Sequence, residues 1–565
     1  MWQWFIELLR HHPEMALILT LGFGYWIGKL RLGSVSLGAV VGVLIAGAVI
    51  GQIGVQPSAD LKTTFFLLFL FAIGYRTGPQ FFSGLRSSGL PQIVLTVIYC
   101  VTALALAYLF TRLLRYDPGT AGGLLAGSTT ESAAVGTATD AINRLPLEAA
   151  TKQSFISNVA VAFAVTYFLG VITTVTLLSR FGPRLLGVNL ADECAKLEKQ
   201  MGFMSEQALP TGYQEFTVRA LRVEDASCAG KTVREIERAA AARGRRLFVA
   251  RIRHGDEIAV ATLDTILHRG DVIALAGRSA MALAEQPSIG PEVDDRALLD
   301  FPVVTVDVVI TEKSVTGVAL GEIVARQSDV LRGVSLKKIL RSGAELPLTP
   351  ATTLARGDVL TLVGLPQAVD RLTAAIGYID RATNTTEIVL IAAVIFIGGV
   401  IGIPALRLGP LELGLSESVG VLLGGLVLGW LRSVNRRIPR VPEAAVWLFD
   451  SLGLTVFLAV TALDAGPDFV AGLRRSGLGL LVAGVCMVIV PQLITLLTGR
   501  FVFRMHPGIL LGVCAGASTS APSLAAVQEV ARSKIPTLGY GVTYAVGNVL
   551  LALWGSVIIA LVAGH

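Results

Sequence analysis

The feature that most limits how this chain can fold is an ordered set of apolar spans that occurs twice, once on each side of a polar middle. The first flank has apolar stretches near 14–30, 35–54, 61–79, 89–110 and 154–179. The second has them near 386–406, 416–432, 444–463, 476–498 and 541–562. Each is about long enough to cross ~30 Å of hydrocarbon as a helix. Between the fourth and fifth span of each flank lies an interrupted segment, apolar at its edges and crowded with Gly, Ser and Thr: PGTAGGLLAGSTTESAAVGTATDAI at 118–142 and PGILLGVCAGASTSAPSLAAVQEVA at 507–531. Three ordered matches make this a true internal repeat. GPQFFSGLRSSGL at 78–90 matches GPDFVAGLRRSGL at 466–478, and DPGTAGGLLAGSTTESAA at 117–134 matches HPGILLGVCAGASTSAPS at 506–523. The spacing of Gly42, Gly47 and Gly51 recurs at Gly420, Gly425 and Gly429.

Charge confirms the partition. Of the 88 Asp, Glu, Lys and Arg residues, 51 fall within the 205 residues 181–385. That density is normal for a soluble domain, and the flanks fall far below it. A large cytosolic enzyme, a disordered chain and a disulfide scaffold are excluded, the last by a total of five cysteines. No early segment has the full signal-peptide pattern, so the first apolar stretch reads as a retained helix. The net charge of +6 reads as cytoplasmic-side Arg and Lys, with no nucleic-acid partner.

If each interrupted segment enters and leaves on one side, each flank crosses five times. An odd number of crossings inverts the second repeat relative to the first. The expected fold is a polytopic α-helical membrane protein: two inverted repeats of five crossings plus one re-entrant segment each, with a pair of small α/β cytoplasmic domains inserted between them. The expected boundaries are 1–180 for membrane repeat 1, 181–211 for a linker, 212–282 and 298–377 for the two small domains, and 386–565 for membrane repeat 2. The basic cluster 432–440 votes for a cytoplasmic middle and both termini outside.

The middle region is itself duplicated. LHRGDVIALAG at 267–277 matches LARGDVLTLVG at 354–364, an offset of 87. The Gly-Asp pairs read as tight turns between short strands, and LFVARI at 247–252 as a strand. KTVREIERAA at 231–240 and VSLKKIL at 334–340 read as short amphipathic helices.

Broken, hydroxyl-rich segments at membrane depth are costly unless they line a polar site or are buried in protein. Their free helix ends favour an anionic ligand. The candidate substrate residues are therefore Gly127, Ser128, Thr129, Thr130 and Glu131, facing Gly516, Ala517, Ser518, Thr519 and Ser520. The bland alternative is that small residues only let helices pack closely. Glu131 has Ser520 as its counterpart, and a carboxylate there either binds a cation, holds an arginine or sits in water at a rim. Arg76, in GYRTGPQF, is placed either to clamp a carboxylate or to anchor at the cytoplasmic face. Gln153, Asn158 and Asn548 either line the path or bond across helices.

The six histidines are scattered, with no metal-ligand spacing, and no CxxC pair occurs. GKL at 28–30 and GKT at 230–232 lack the glycine frame of a phosphate loop. No metal, cofactor or enzymatic activity is expected. GYGVTY at 539–544 is the nearest echo of a potassium filter and reads as a single copy. A channel or ion transporter gated by the small domains, and a non-transporting membrane scaffold, stand as rivals to a secondary antiporter.

The chain resembles the aspartate:alanine exchanger family of bacterial secondary transporters over nearly its full length. The motifs that carry the resemblance are GYRTGPQFF at 74–82, AGSTTESAAVGTA at 126–138 and CAGASTSAPSL at 514–524. The small domains resemble the C-terminal regulatory domains of potassium-uptake proteins. The resemblance implies exchange of L-aspartate for L-alanine, or of a related dicarboxylate such as succinate, by alternating access. It makes Arg76 the substrate-carboxylate candidate. It also implies a homodimer in membrane lipid, a small anionic or zwitterionic substrate, and a regulatory ligand on the small domains.

Overall fold

A computed structural model of the protein describes residues 2–32, 35–36, 38–84, 89–201, 216–225, 227–242, 247–278, 288–326, 332–341, 344–379, 387–408, 411–414, 416–435, 438–439 and 441–563. Arg436, Arg437 and Arg440 of the basic cluster lie outside them, as does most of the second half of the linker. Two compact units form. One comprises Met1–Lys196 and Ala382–His565 with the short Ser342–Ala344; the other comprises Leu197–Arg341 and Glu345–Arg381.

The first unit is helical. Among the described residues, seven helical segments are long and apolar enough to cross a membrane, and Gly38–Gly51, Ile388–Gly402 and Pro507–Ala517 are shorter apolar helices. The two repeats share one plan. In each, a β-hairpin follows the first span: Arg31–Leu32 with Val35–Ser36, and Ala405–Leu408 with Leu411–Gly414. Its sequence also repeats, as RLGSVSLG at 31–38 and RLGPLELG at 407–414.

The repeated glycines mark the closest helix contacts. A Cβ on Gly42 would strike the Gly24 carbonyl, and one on Gly420 the Gly398 carbonyl. Gly47 and Gly51 approach Ala462 and Leu463, while Gly425 and Gly429 approach Phe71 and Tyr75. The second span of each repeat thus packs on the third span of the other. Backbone approach of this kind is how helices gain contact where the surrounding lipid is as apolar as the side chains.

The helices sort into two packed groups. The first three spans of both repeats pack on one another. The fourth spans, the interrupted segments and the last spans form the other group. One element belongs to both. The two spans expected over 444–463 and 476–498 are both present, as Glu443–Pro467 and Leu478–Val502, and the backbone is helical throughout Glu443–Leu497. In the first repeat Pro91 stands at the start of Leu90–Leu114, where it ends any preceding helix. The matching residue in the second repeat is Gly479, which imposes no such break.

The second unit holds two antiparallel sheets. One runs Phe216–Arg222, Val272–Arg278, Leu247–His254, Glu257–Val260 in spatial order. The other has Gly377–Ile379, Val304–Ile310, Val359–Gly364 and Val334–Arg341, with the two-residue Ala344–Glu345 at its edge. Helices Val233–Ala242 and Leu320–Arg326 occupy matching places 87 residues apart. The segment 334–340, expected as a helix, is a strand. It pairs along Val359–Gly364 and is the counterpart, again at an offset of 87, of strand Leu247–His254. Sheet pairing overrides the helical charge pattern of VSLKKIL. Arg332 joins the two modules: its guanidinium bonds Glu237 at 2.9 Å and also the Val249 carbonyl at 3.0 Å.

Candidate functional site

Both interrupted segments are helical hairpins with matching tips. In the first, Pro118–Ser128 turns into Ser132–Arg144; in the second, Pro507–Ala517 turns into Ala521–Ala531. Each turn contains a threonine in the left-handed region, Thr130 at φ 56° and Thr519 at φ 51°. A β-branched residue is strained there by about 1–3 kcal/mol, and such strain collects at functional sites. The residue after each threonine caps the following helix. Glu131 accepts from the Ala133 N–H at 3.1 Å, and Ser520 from the Ser523 N–H at 3.4 Å.

The tips meet. Thr130 Oγ1 donates to the Ser518 carbonyl at 2.9 Å, and Thr519 Oγ1 donates reciprocally to the Thr129 carbonyl at 3.5 Å. The predicted tip residues of both repeats are therefore in one place, related by a local two-fold. They are buried except for the half-buried Thr130 and Thr519. Glu131 is buried and also interacts with the Thr519 hydroxyl.

The tips rest on the last spans through a motif that the sequence reading took as single. VTYFLG at 165–170 and VTYAVG at 542–547 are the same element at an offset of 377. Gly127 lies against Thr166 and the Phe163 carbonyl, and Gly516 against Thr543 and the Tyr540 carbonyl. Phe163–Tyr167 and Tyr540–Tyr544 both have ring centroids 5.1 Å apart. Tyr544 interacts electrostatically with Glu131, Asp450 and Arg76. The filter-like GYGVTY is thus half of a paired floor beneath the hairpins. Alignment of the last spans on VTYxxG carries the signal.

Arg76 is not an unengaged clamp. Its Nη1 donates to Asp450 at 2.7 Å, leaving the other guanidinium nitrogens for further partners. The pair has a counterpart. At the repeat offset of 388, Arg76 maps to Asp464 and Lys62 to Asp450, and Lys62 interacts with Asp464. Arg76 and Asp450 thus form an ion pair between Ala59–Gly84 and Glu443–Leu497, and Lys62 and Asp464 stand at the repeat-related positions within electrostatic reach of each other. Near Lys62, Asp140 of the first hairpin accepts a hydrogen bond from Ser418 of Glu417–Val434. This contact connects the two helix groups.

Arg76→Ala should leave Asp450 without its cation. The expected cost is roughly 1–3 kcal/mol, below the 3–5 of a fully buried pair because both side chains keep some solvent contact. Adding Asp450→Asn should recover most of it. Thermal unfolding in detergent reads both, and equal stability of the single and double variants would remove the pairing.

Asn548 is buried and bonds the Tyr544 carbonyl at 2.8 Å, so it lies at the floor of the site. Gln153 is exposed and Asn158 half-buried near the start of Ala149–Thr176, so neither joins the tips. Three buried polar atoms around the hairpins have no hydrogen-bond partner: Ser128 Oγ, Tyr99 OH and Gln492 Oε1. Tyr99 packs beside Ala517, and the Gln492 amide donates to the Cys514 carbonyl at 3.2 Å. Unsatisfied buried polar atoms are costly and rare, and these three belong to the hairpins or to helices packed on them.

Comparison with known proteins identifies a family. Residues 16–181 and 390–560 match the family described as Predicted Permease Membrane Region, and residues 218–285 match the TrkA-C domain. An uncharacterized transporter of Shewanella oneidensis is 39% identical over 561 residues, covering 98% of this chain and 99% of its own. One from Bradyrhizobium diazoefficiens is 40% identical over 518 residues, covering 91% and 99%. One from Bordetella parapertussis is 37% identical over 562 residues, covering 98% of each. No solved structure matches. The chain belongs to the Predicted Permease Membrane Region family and is a multi-pass membrane transporter, not an enzyme, with a TrkA-C domain inserted between its two membrane halves.

Proposed function

We propose that the protein is a secondary antiporter of small amino acids, exchanging L-aspartate for L-alanine across the inner membrane. The observation that carries this reading is the meeting of two hairpin tips that match in backbone but differ in charge. Glu131 places a carboxylate at the start of its helix, while Ser520 leaves the equivalent end neutral. A helix start favours negative charge. An α-amino acid carries both charges, so its ammonium suits Glu131 and its carboxylate suits the Ser520 side. The donors of Arg76 left free by Asp450 suit the second carboxylate of aspartate. A dicarboxylate without an ammonium would meet Glu131 as a like charge.

In this reading the hairpin-bearing group carries substrate past the group of first three spans. Aspartate carries one net negative charge and alanine none, so the exchange moves charge. The TrkA-C-type region regulates or dimerises the protein.

The test is uptake of labelled aspartate into liposomes preloaded with unlabelled aspartate, alanine, glutamate or succinate. Uptake should require internal aspartate or alanine. Uptake that is the same whatever the interior holds would defeat exchange, and uptake driven best by succinate would replace the amino-acid reading with a dicarboxylate one.

A further inference from the structure

The duplication in the soluble unit places a buried aspartate at the same turn twice. Asp271 and Asp358 follow Gly270 and Gly357, both at positive φ. In each module one carboxylate oxygen accepts from a backbone N–H three residues back, His268 N to Asp271 and Ala355 N to Asp358, both at 2.7 Å. Both aspartates are nearly inaccessible.

The modules differ in what faces that carboxylate. In the second, Arg341 grips Asp358 with both arms, Nε at 2.8 Å and Nη2 at 2.7 Å. The residue 87 positions before Arg341 is His254, and the residue 87 before Ala355 is His268. His254 Nδ1 lies 2.7 Å from Asp271 Oδ1, and His268 Nδ1 lies 3.7 Å from Oδ2. The two rings are 5.3 Å apart, and the side chains are 69% and 62% exposed against 4% for Asp271. The second module fills the position with a fixed guanidinium. The first surrounds the same carboxylate with two open imidazole nitrogens.

We propose that His254, His268 and Asp271 bind a single divalent transition-metal ion of the Zn2+ type on the first soluble module. Two imidazole nitrogens and a carboxylate are a borderline donor set suited to zinc, cobalt or nickel rather than calcium or magnesium. The candidate ligand atoms of all three residues lie within 4.8 Å of one another, with His254 Nδ1 2.7 Å from Oδ1 and His268 Nδ1 3.7 Å from Oδ2, a spread that small side-chain shifts bring to the ~3.3 Å separation of atoms about 2.0–2.1 Å from a tetrahedral ion. With each ring proton on Nε2, both Nδ1 atoms are free to ligate. The backbone N–H of His268 fixes the carboxylate from behind, as supporting hydrogen bonds do in metal sites. Exposure of both rings leaves the remaining coordination position to water or to a regulatory ligand.

The experiment uses full-length, tag-free protein in detergent, dialysed against Zn2+ and analysed by elemental mass spectrometry, with Co2+ absorption as a second probe. Wild type should retain one Zn2+ per chain and show a Co2+ d–d band that Zn2+ displaces. His254→Ala and His268→Ala, both at exposed positions, should each lose it. The double variant His254→Arg/His268→Ala installs the second module's arrangement and should lose the metal while melting no lower than wild type. No retained metal in the wild type, or retention undiminished in the double variant, would overturn the proposal. In that event the cluster is a hydrogen-bonded aspartate and no more.

Discussion

Gly127→Ala and Gly516→Ala are each expected to reduce transport to background. A Cβ on Gly127 would run into the Thr166 hydroxyl and lie 2.8 Å from the Phe163 carbonyl; on Gly516 it would meet the Thr543 hydroxyl and lie 2.7 Å from the Tyr540 carbonyl. The neighbours are helix backbone and cannot yield freely, so each hairpin must lift from its last span. Overpacking of this kind costs about 1–3 kcal/mol. The functional loss should be larger than the stability loss, because the same shift separates the reciprocal contacts of Thr130 and Thr519. Adding Thr166→Ala to Gly127→Ala removes the hydroxyl but not the carbonyl, so it should recover transport only in part. Gly22→Ala is the control. It sits in helix Pro13–Gly28 with nothing close to a new Cβ and should leave uptake unchanged. Labelled-substrate uptake and thermal unfolding in detergent measure both effects. Full transport in both hairpin variants would separate the tips from the transport path.

Much of this site was legible in the sequence because it is written twice. GSTTE and GASTS stand at one offset, and a polar run at the same place in two apolar segments points to a shared role. The repeated glycines were legible for the same reason, since a small residue required by close backbone approach recurs wherever the approach recurs. What could not be read was anything set by contact between distant segments. Arg76 looked wholly unengaged because Asp450, which takes one of its donors, lies 374 residues away. VSLKKIL looked helical because its strand partner, Val359–Gly364, is not adjacent. The histidines looked scattered because His254, at the end of a strand, and His268, just before strand Val272–Arg278, meet only when those two strands pair. Tyr167 and Tyr544 were missed for another reason: the GYG echo drew attention to one copy and hid the shared VTYxxG. The continuous helix Glu443–Leu497 has Gly479 where the first repeat has Pro91 at a helix start.

The second large effect follows from one of the contacts that tie the hairpin group to the first three spans. Ser418 donates to Asp140 across that boundary. If transport requires the hairpins to slide past Glu417–Val434, the contact must break in every cycle. A covalent bond in its place should then stop transport while leaving the fold intact. The chain has five cysteines of its own, so Asp140→Cys/Ser418→Cys belongs in a background where they are replaced. Helices that share a side-chain hydrogen bond lie near enough for a short thiol-to-thiol crosslinker. The reduced double variant should retain part of its uptake, since one hydrogen bond contributes about 0.5–1.5 kcal/mol.

The decisive measurement is exchange of labelled aspartate by this double-cysteine protein in liposomes, before crosslinking, after it, and after cleavage of a reducible crosslinker. Moving hairpins predict exchange that disappears on crosslinking and returns on reduction. Exchange at an undiminished rate in fully crosslinked protein would contradict the account.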